Sequence, residues 1–168
     1  MCEFRVDLQQ LSNLAVQAVQ ELSRHNLTVA AAESLTAGMF CATLAEVPGA
    51  SAVLRGGLVV YATDLKAKLA GVAEQTLSTQ GPVAEDTAAE LAQGARLQCG
   101  ADIGVGITGV AGPSEQNGVP VGTVFLGIDV ANEPSTVVEY RFFGTRSEIR
   151  MLSVEKALLQ VIDYCRKV

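Results

Sequence analysis

Three short apolar runs constrain this chain more than any other feature. "LTVAAA" (Leu27 to Ala32), "GGLVVYA" (Gly56 to Ala62) and "DIGVGIT" (Asp102 to Thr108) read as buried strands. Stretches with helical spacing surround them. From Asp7 to His25 the apolar residues Leu8, Leu11, Ala15, Ala18 and Leu22 fall on one helix face. Ala37 to Val47 reads as a helix halted before Pro48. Thr63 and Asp64 read as the N-cap and acidic first turn of a helix running towards Leu69. Pro82 opens another helix, with Ala84, Ala88, Leu91, Ala92 and Ala95 on one face and Glu85 and Asp86 favouring the dipole at its start. Two further strands, Val121 to Val130 and Thr136 to Phe143, are joined by a short connector holding Asn132 and Pro134, as in a hairpin. "TRSE" (Thr145 to Glu148) matches the capping-box pattern, ahead of a closing helix with Val154, Leu158, Val161 and Cys165 on one face. Helices between strands and no internal repeat predict an α/β fold, a three-layer α/β/α sandwich with a mixed five-stranded sheet and about five helices. At 168 residues this is one domain, residues 1–168.

Composition excludes several classes of function. Charged residues are only 18% of the chain, below the roughly 25% usual for soluble domains, as a thick, two-sided core requires. The longest uncharged stretches, Leu8 to Gln20 and Gln116 to Ile128, reach thirteen residues. A membrane span needs roughly eighteen or more. Glu3 and Asp7 come early and no apolar leader pattern follows, so the expectation is a soluble, cytoplasmic protein. Twelve basic against eighteen acidic residues repel a phosphate backbone, which argues against nucleic acid as a partner but leaves room for a small anion held by local N–H groups. Cys2, Cys41, Cys99 and Cys165 are scattered, with no CxxC pair and one histidine in the chain, so they read as reduced thiols rather than metal ligands. No metal and no cofactor is expected.

The chemistry concentrates at strand ends. "AAESLTAGMF" (Ala31 to Phe40) puts Ser34 at a strand-to-helix turn, a position that suits a helix cap or a nucleophile. His25 sits at the end of the first helix and no GxSxG elbow is present, so the inventory argues against a serine-histidine-acid triad. If Ser34 attacks, another base must help it. Strand-end loops on one edge of an α/β sheet converge, so Ser34, Tyr61 and Thr108 can meet in one crevice. Lys66 is the candidate base. An ordinary lysine is neutral only about once in 2,500 molecules at pH 7, and bringing its pKa to about 7 to 8 requires roughly 4 kcal/mol against the ammonium. Burial among small residues and the positive end of its helix both act in that direction. Lys68, about 200° around that helix, faces elsewhere. "GITGVAGP" (Gly106 to Pro113) reads either as a tight turn or as an anion cradle, and it lacks both the Walker ending and the dinucleotide glycine spacing. Arg146 and Arg150, one helical turn apart, add positive charge nearby or lie on the surface.

Taken together, "AESLTAG", "VPGASAVLRGGLVVYATDLKAKLAGV", "GADIGVGITGVAGP", "PVGTVFLGI" and "FFGTR" resemble the nicotinamide-nucleotide amidase family, also known as the C-terminal domain of the competence-damage protein CinA. The resemblance runs from about Leu8 to Leu159. It implies hydrolysis of nicotinamide mononucleotide to nicotinic acid mononucleotide and ammonia, without a metal, by a homodimer acting on a small nucleotide. Ser34 then corresponds to the nucleophile, while Tyr61 and Lys66 match the tyrosine and lysine of the following strand-helix motif. Thr108, Gly109, Ala111 and Gly112 match the ligand-binding loop. Neutral Lys66 takes the Ser34 proton directly or through Tyr61, N–H groups near Thr36 and Gly38 receive the oxyanion, and Arg146 supplies charge for the substrate. The chain departs from the family pattern T-A-E-S-C-T-G-G at Ala31, Leu35 and Ala37, and has Val119 where lysine is common. From the sequence, the Ala37 methyl narrows the oxyanion side of the pocket and Val119 removes a phosphate partner. A non-catalytic ligand-binding or partner-interaction domain, or an amidase for another small carboxamide, are the competing readings.

Overall fold

A computed structural model describes residues 7–168. Cys2 and the Glu3 side of the leader argument lie outside the described residues. The elements in chain order are α1 (Leu8–His25), β1 (Val29–Glu33), α2 (Met39–Ala45), β2 (Leu54–Val59), α3 (Thr63–Ala70), α4 (Glu74–Thr79), α5 (Glu85–Cys99), β3 (Ile103–Gly109), β4 (Thr123–Val130), β5 (Thr136–Arg141) and α6 (Arg146–Cys165). A single 3-10 turn, Ala50–Ala52, precedes β2.

The five strands form one mixed sheet in the order β2-β1-β3-β4-β5. β1 runs parallel to both β2 and β3, while β3, β4 and β5 are antiparallel in turn. Alternation along β1 sorts its side chains between two cores. Val29 and Ala31 join the core under α1, α2 and α6, where Leu22, Phe40, Leu44, Leu158 and Ile162 are buried. Ala30 and Ala32 face the opposite core with Ala70, Leu91 and Ala95 of α3 and α5. The sandwich expected from the helix-strand alternation is therefore present.

On the α5 side the sheet is glycine-studded for a steric reason. A Cβ on Gly104, Gly106 or Gly127 would run into the carbonyls of Ala92 and Ala88, so the three glycines let the α5 backbone lie directly on β3 and β4.

Local capping follows the sequence at both long helices. Asp7 accepts from the Gln10 N–H at the start of α1, and the Thr145–Glu148 capping box opens α6. Elsewhere the boundaries move. The N-cap of α3 is Ala62, with no side-chain bond, and Thr63 is already helical. α5 begins at Glu85, three residues after Pro82, and α2 is confined to Met39–Ala45. The short α4 has no buried residue and so gives no periodic signal. It is tied to α5 by Glu90, which accepts from the Ala73 N–H and the Thr76 hydroxyl.

Because β1, β2, β3 and β5 point the same way, their C-terminal ends open on one edge. The turn after β1, the link from β2 to α3, the long loop after β3 and the start of α6 all gather there.

Candidate active site

A cavity of about 290 Å³ occupies that edge. Ser34, Leu35, Tyr61 and Lys66 form one part of its wall, Gly109 to Gly112 and Ser114 to Gln116 another, with Pro82, Val83 and Arg146 completing it.

Ser34 is fixed by its backbone. Its N–H extends the sheet by donating to the Ile107 carbonyl, and its own carbonyl accepts from the Ala37 N–H across a tight turn. The chain then passes through two left-handed residues, Ala37 (φ 49°) and Gly38 (φ 93°), before α2 begins. What holds this turn is Glu33. Its buried carboxylate accepts from the N–H groups of Gly38, Phe40 and Cys41 at 3.0 to 3.1 Å. A negative charge on the first-turn donors of a short helix satisfies groups that would otherwise be orphaned and complements the dipole.

Lys66 reaches Ser34 from the first turn of α3. Its ammonium lies 3.1 Å from the Ser34 hydroxyl and 2.9 Å from the Val60 carbonyl, both of which accept from it. The residue is 1% exposed and has no carboxylate partner among the described residues. Burial without a counter-charge pushes its pKa down to about 8. Lys68, on the opposite side of α3, is solvated and pairs with Asp64 at 2.7 Å.

Tyr61, 54% exposed, points its hydroxyl at Arg146, which donates to it and to the Gly112 carbonyl, each at 2.5 Å. Arg146 thereby joins the β2 side of the cavity to the loop after β3. Guanidinium has five N–H donors, so this bracket leaves donors over for a ligand. The structure shows a direct Lys66–Ser34 contact, and Tyr61 stands outside it.

A model of the CinA C-terminal domain matches residues 11–165. The chain belongs to the CinA C-terminal domain family. A competence-damage inducible protein of Bacillus pumilus (strain SAFR-032) is 42% identical over 156 residues, which make up 93% of this chain and 37% of that protein. The chain thus spans little more than a third of that relative's length. The competence/damage inducible protein CihA of Agrobacterium tumefaciens superposes with a TM-score of 0.88 at 34% identity, covering 97% of this chain and 98% of that one. A CinA superfamily protein of Escherichia coli gives 0.89 at 28% identity, with 95% and 94% covered.

Within this CinA-type domain not every residue singled out in the sequence reaches the cavity. Thr36 and Gly38 do not line it, and the Gly38 N–H is held by Glu33 rather than offered to a ligand. Thr108 is fully buried just before the lining residue Gly109, and its hydroxyl donates to the Pro82 carbonyl at 2.6 Å. The Ala37 methyl does not narrow the pocket, because Ala37 is exposed and outside the lining. Val119 also lies outside it, paired through its backbone with Gln116. Pro82, Val83, Ser114, Glu115 and Gln116 were not foreseen as lining. Their shared signal was position, at the end of a loop beside a strand terminus. Among the described residues no cluster of histidine, cysteine or carboxylate side chains is able to hold a metal ion. Cys41, Cys99 and Cys165 are free thiols. No helix of the described residues is long and apolar enough to cross a membrane.

Proposed function

We propose that the domain is an amidohydrolase that converts nicotinamide mononucleotide to nicotinic acid mononucleotide and ammonia, with Ser34 as nucleophile and Lys66 as base. The observation that carries this reading is the buried Lys66 amine, without a carboxylate partner among the described residues, 3.1 Å from the Ser34 hydroxyl at the wall of a cavity. A lysine with pKa about 8 is neutral in about 9% of molecules at pH 7, some two hundred times the fraction of an ordinary lysine. In this scheme neutral Lys66 removes the Ser34 proton directly as the oxygen bonds to the carboxamide carbon. The C–N bond then breaks, Lys66 returns the proton to the departing nitrogen as ammonia, and water hydrolyses the acyl-enzyme. Arg146 and the loop from Gly109 to Gly112 take the nucleotide's anionic part, and Tyr61 offers an aromatic face at the mouth. A homodimeric, cytoplasmic enzyme is part of this proposal.

Ammonia release from nicotinamide mononucleotide by purified protein is the test. Ser34→Ala and Lys66→Ala variants that remain folded are expected to lose it. Unchanged turnover in either rejects these roles, and nucleotide binding without turnover by the wild type favours a non-catalytic domain.

A further inference from the structure

Three charged side chains line the cavity, and none of them is neutralised by another. Lys66 and Arg146 are the cations and Glu115 is the anion. Lys66 donates to a hydroxyl and a carbonyl. Arg146 also donates to neutral acceptors, the Tyr61 hydroxyl and the Gly112 carbonyl. Glu115 has no hydrogen bond or ion pair among the described residues.

Glu115 is exposed, yet its place in the wall is set from both sides. Before it in the chain, Arg146 holds the Gly112 carbonyl. After it, Gln116 and Val119 exchange N–H to carbonyl bonds at 3.1 and 2.9 Å. They close a tight turn over Asn117 (φ 50°) and Gly118 (φ 77°), the residue pair best suited to consecutive left-handed positions. The carboxylate is therefore carried between two fixed points, and the guanidinium that anchors its loop is the cation available to an anionic ligand group.

A ligand of one sign leaves part of this wall uncompensated. An anionic carboxamide suits Arg146 and is repelled by Glu115, and a neutral one engages neither charge. A molecule with an anionic group and a fixed positive charge on the ring that bears its carboxamide engages both. A pyridinium ring substituted at nitrogen carries that charge. Tyr61, 54% exposed in the same wall, adds an aromatic ring that attracts a cation. A positive ring also withdraws electrons from the carboxamide carbon, which makes that carbon more open to attack by a serine oxygen.

We infer that Glu115 is a specificity-determining residue of the cavity. Its carboxylate recognises the positive charge of an N-substituted pyridinium ring, so the site selects a carboxamide on a cationic ring over the same carboxamide on a neutral ring. This rests on the reading that places the carboxamide at Ser34.

The experiment measures dissociation constants by calorimetry on the full chain carrying Ser34→Ala, with and without Glu115→Gln. Because Glu115 is exposed and makes no bond among the described residues, the Gln variant removes charge without removing a contact that holds the fold. Two pairs of probes are compared in one buffer. Nicotinamide mononucleotide and its reduced dihydro form share phosphate, ribose and carboxamide and differ in ring charge. Nicotinamide methylated on its ring nitrogen and nicotinamide itself repeat the contrast without a phosphate. Exposed ion pairs contribute up to about fivefold to an equilibrium constant, and Glu115→Gln is expected to weaken the charged member of a pair by at least ~3-fold more than the neutral member. A smaller differential in every pair that binds overturns the inference, as does an equal loss for both members, the mark of a merely structural role. Nicotinamide mononucleotide that binds independently of Glu115 defeats this inference and leaves the substrate reading intact. If the nucleotide does not bind but the methylated pair shows the Glu115-dependent preference, the nucleotide reading fails and this inference stands. Absence of binding by every probe defeats both.

Discussion

Replacing Lys66 by methionine isolates the energetic consequence of burying an amine that has no carboxylate partner among the described residues in the wall of the cavity. In the folded chain the group titrates at about 8, against an ordinary value of 10.5. Below pH 8 the amine is protonated in both folded and unfolded chains, and the full cost of burying the ammonium bears on stability. Between about pH 8 and 10.5 the folded chain has released the proton while the unfolded chain still binds it, so stability rises with pH. Integrating over the two pKa values, wild type gains about 1.3 kcal/mol between pH 7 and pH 9 and about 2.5 kcal/mol between pH 7 and pH 10. Other groups that titrate over this range, tyrosines and cysteines included, largely cancel in the difference between wild type and Lys66→Met. Urea unfolding of both proteins at pH 7, 8, 9 and 10 reads that difference directly. Parallel stability curves would show an amine of ordinary basicity and refute the reasoning.

Two further outcomes concern the turn that carries Ser34. Ala37→Gly removes an L-residue from the left-handed region at φ 49°, and after the added flexibility of the unfolded chain it is expected to raise stability by roughly 0.5–1 kcal/mol. Ammonia release should be unchanged in that variant, since the methyl is outside the cavity, and a large gain in rate would show that it obstructs the site. Glu33→Gln puts an amide N–H₂ among three N–H donors and is expected to cost about 2 kcal/mol in thermal or urea unfolding, with a lower kcat. Unchanged stability would mean that the carboxylate does not hold the turn.

The parts of the fold that were legible in the sequence are those governed by neighbours along the chain. Apolar runs located β1, β2 and β3, although β2 proves to be an edge strand with no fully buried residue rather than a buried one; the connector around Asn132 located the hairpin of β4 and β5, and T-R-S-E located the start of α6. Convergence of Ser34 and Lys66 was legible because parallel strands must deliver their ends to one edge. What was not legible depends on partners distant in sequence or on the direction of a single bond. Arg150 meets Leu35 and Thr36 across more than a hundred residues, and no local pattern distinguishes it from a solvated arginine. Ala37 was read as an obstruction because a methyl beside a nucleophile suggests crowding, yet a positive φ turns it outward to solvent. Gly38 was read as an oxyanion donor because it stands near a helix start, but Glu33 competes for that N–H with a full charge. The six-residue α4 carries no apolar stripe, since it buries nothing of its own.

The most direct test of a neutral Lys66 acting on Ser34 is the pH dependence of kcat/KM for ammonia release, measured from pH 6 to 10 at constant ionic strength. The account predicts a single rising limb centred near pH 8, the value set by burial of the amine, with an increase of about tenfold between pH 7 and pH 9. A profile that is flat across this range, or a limb displaced to pH 10 or above, would contradict it.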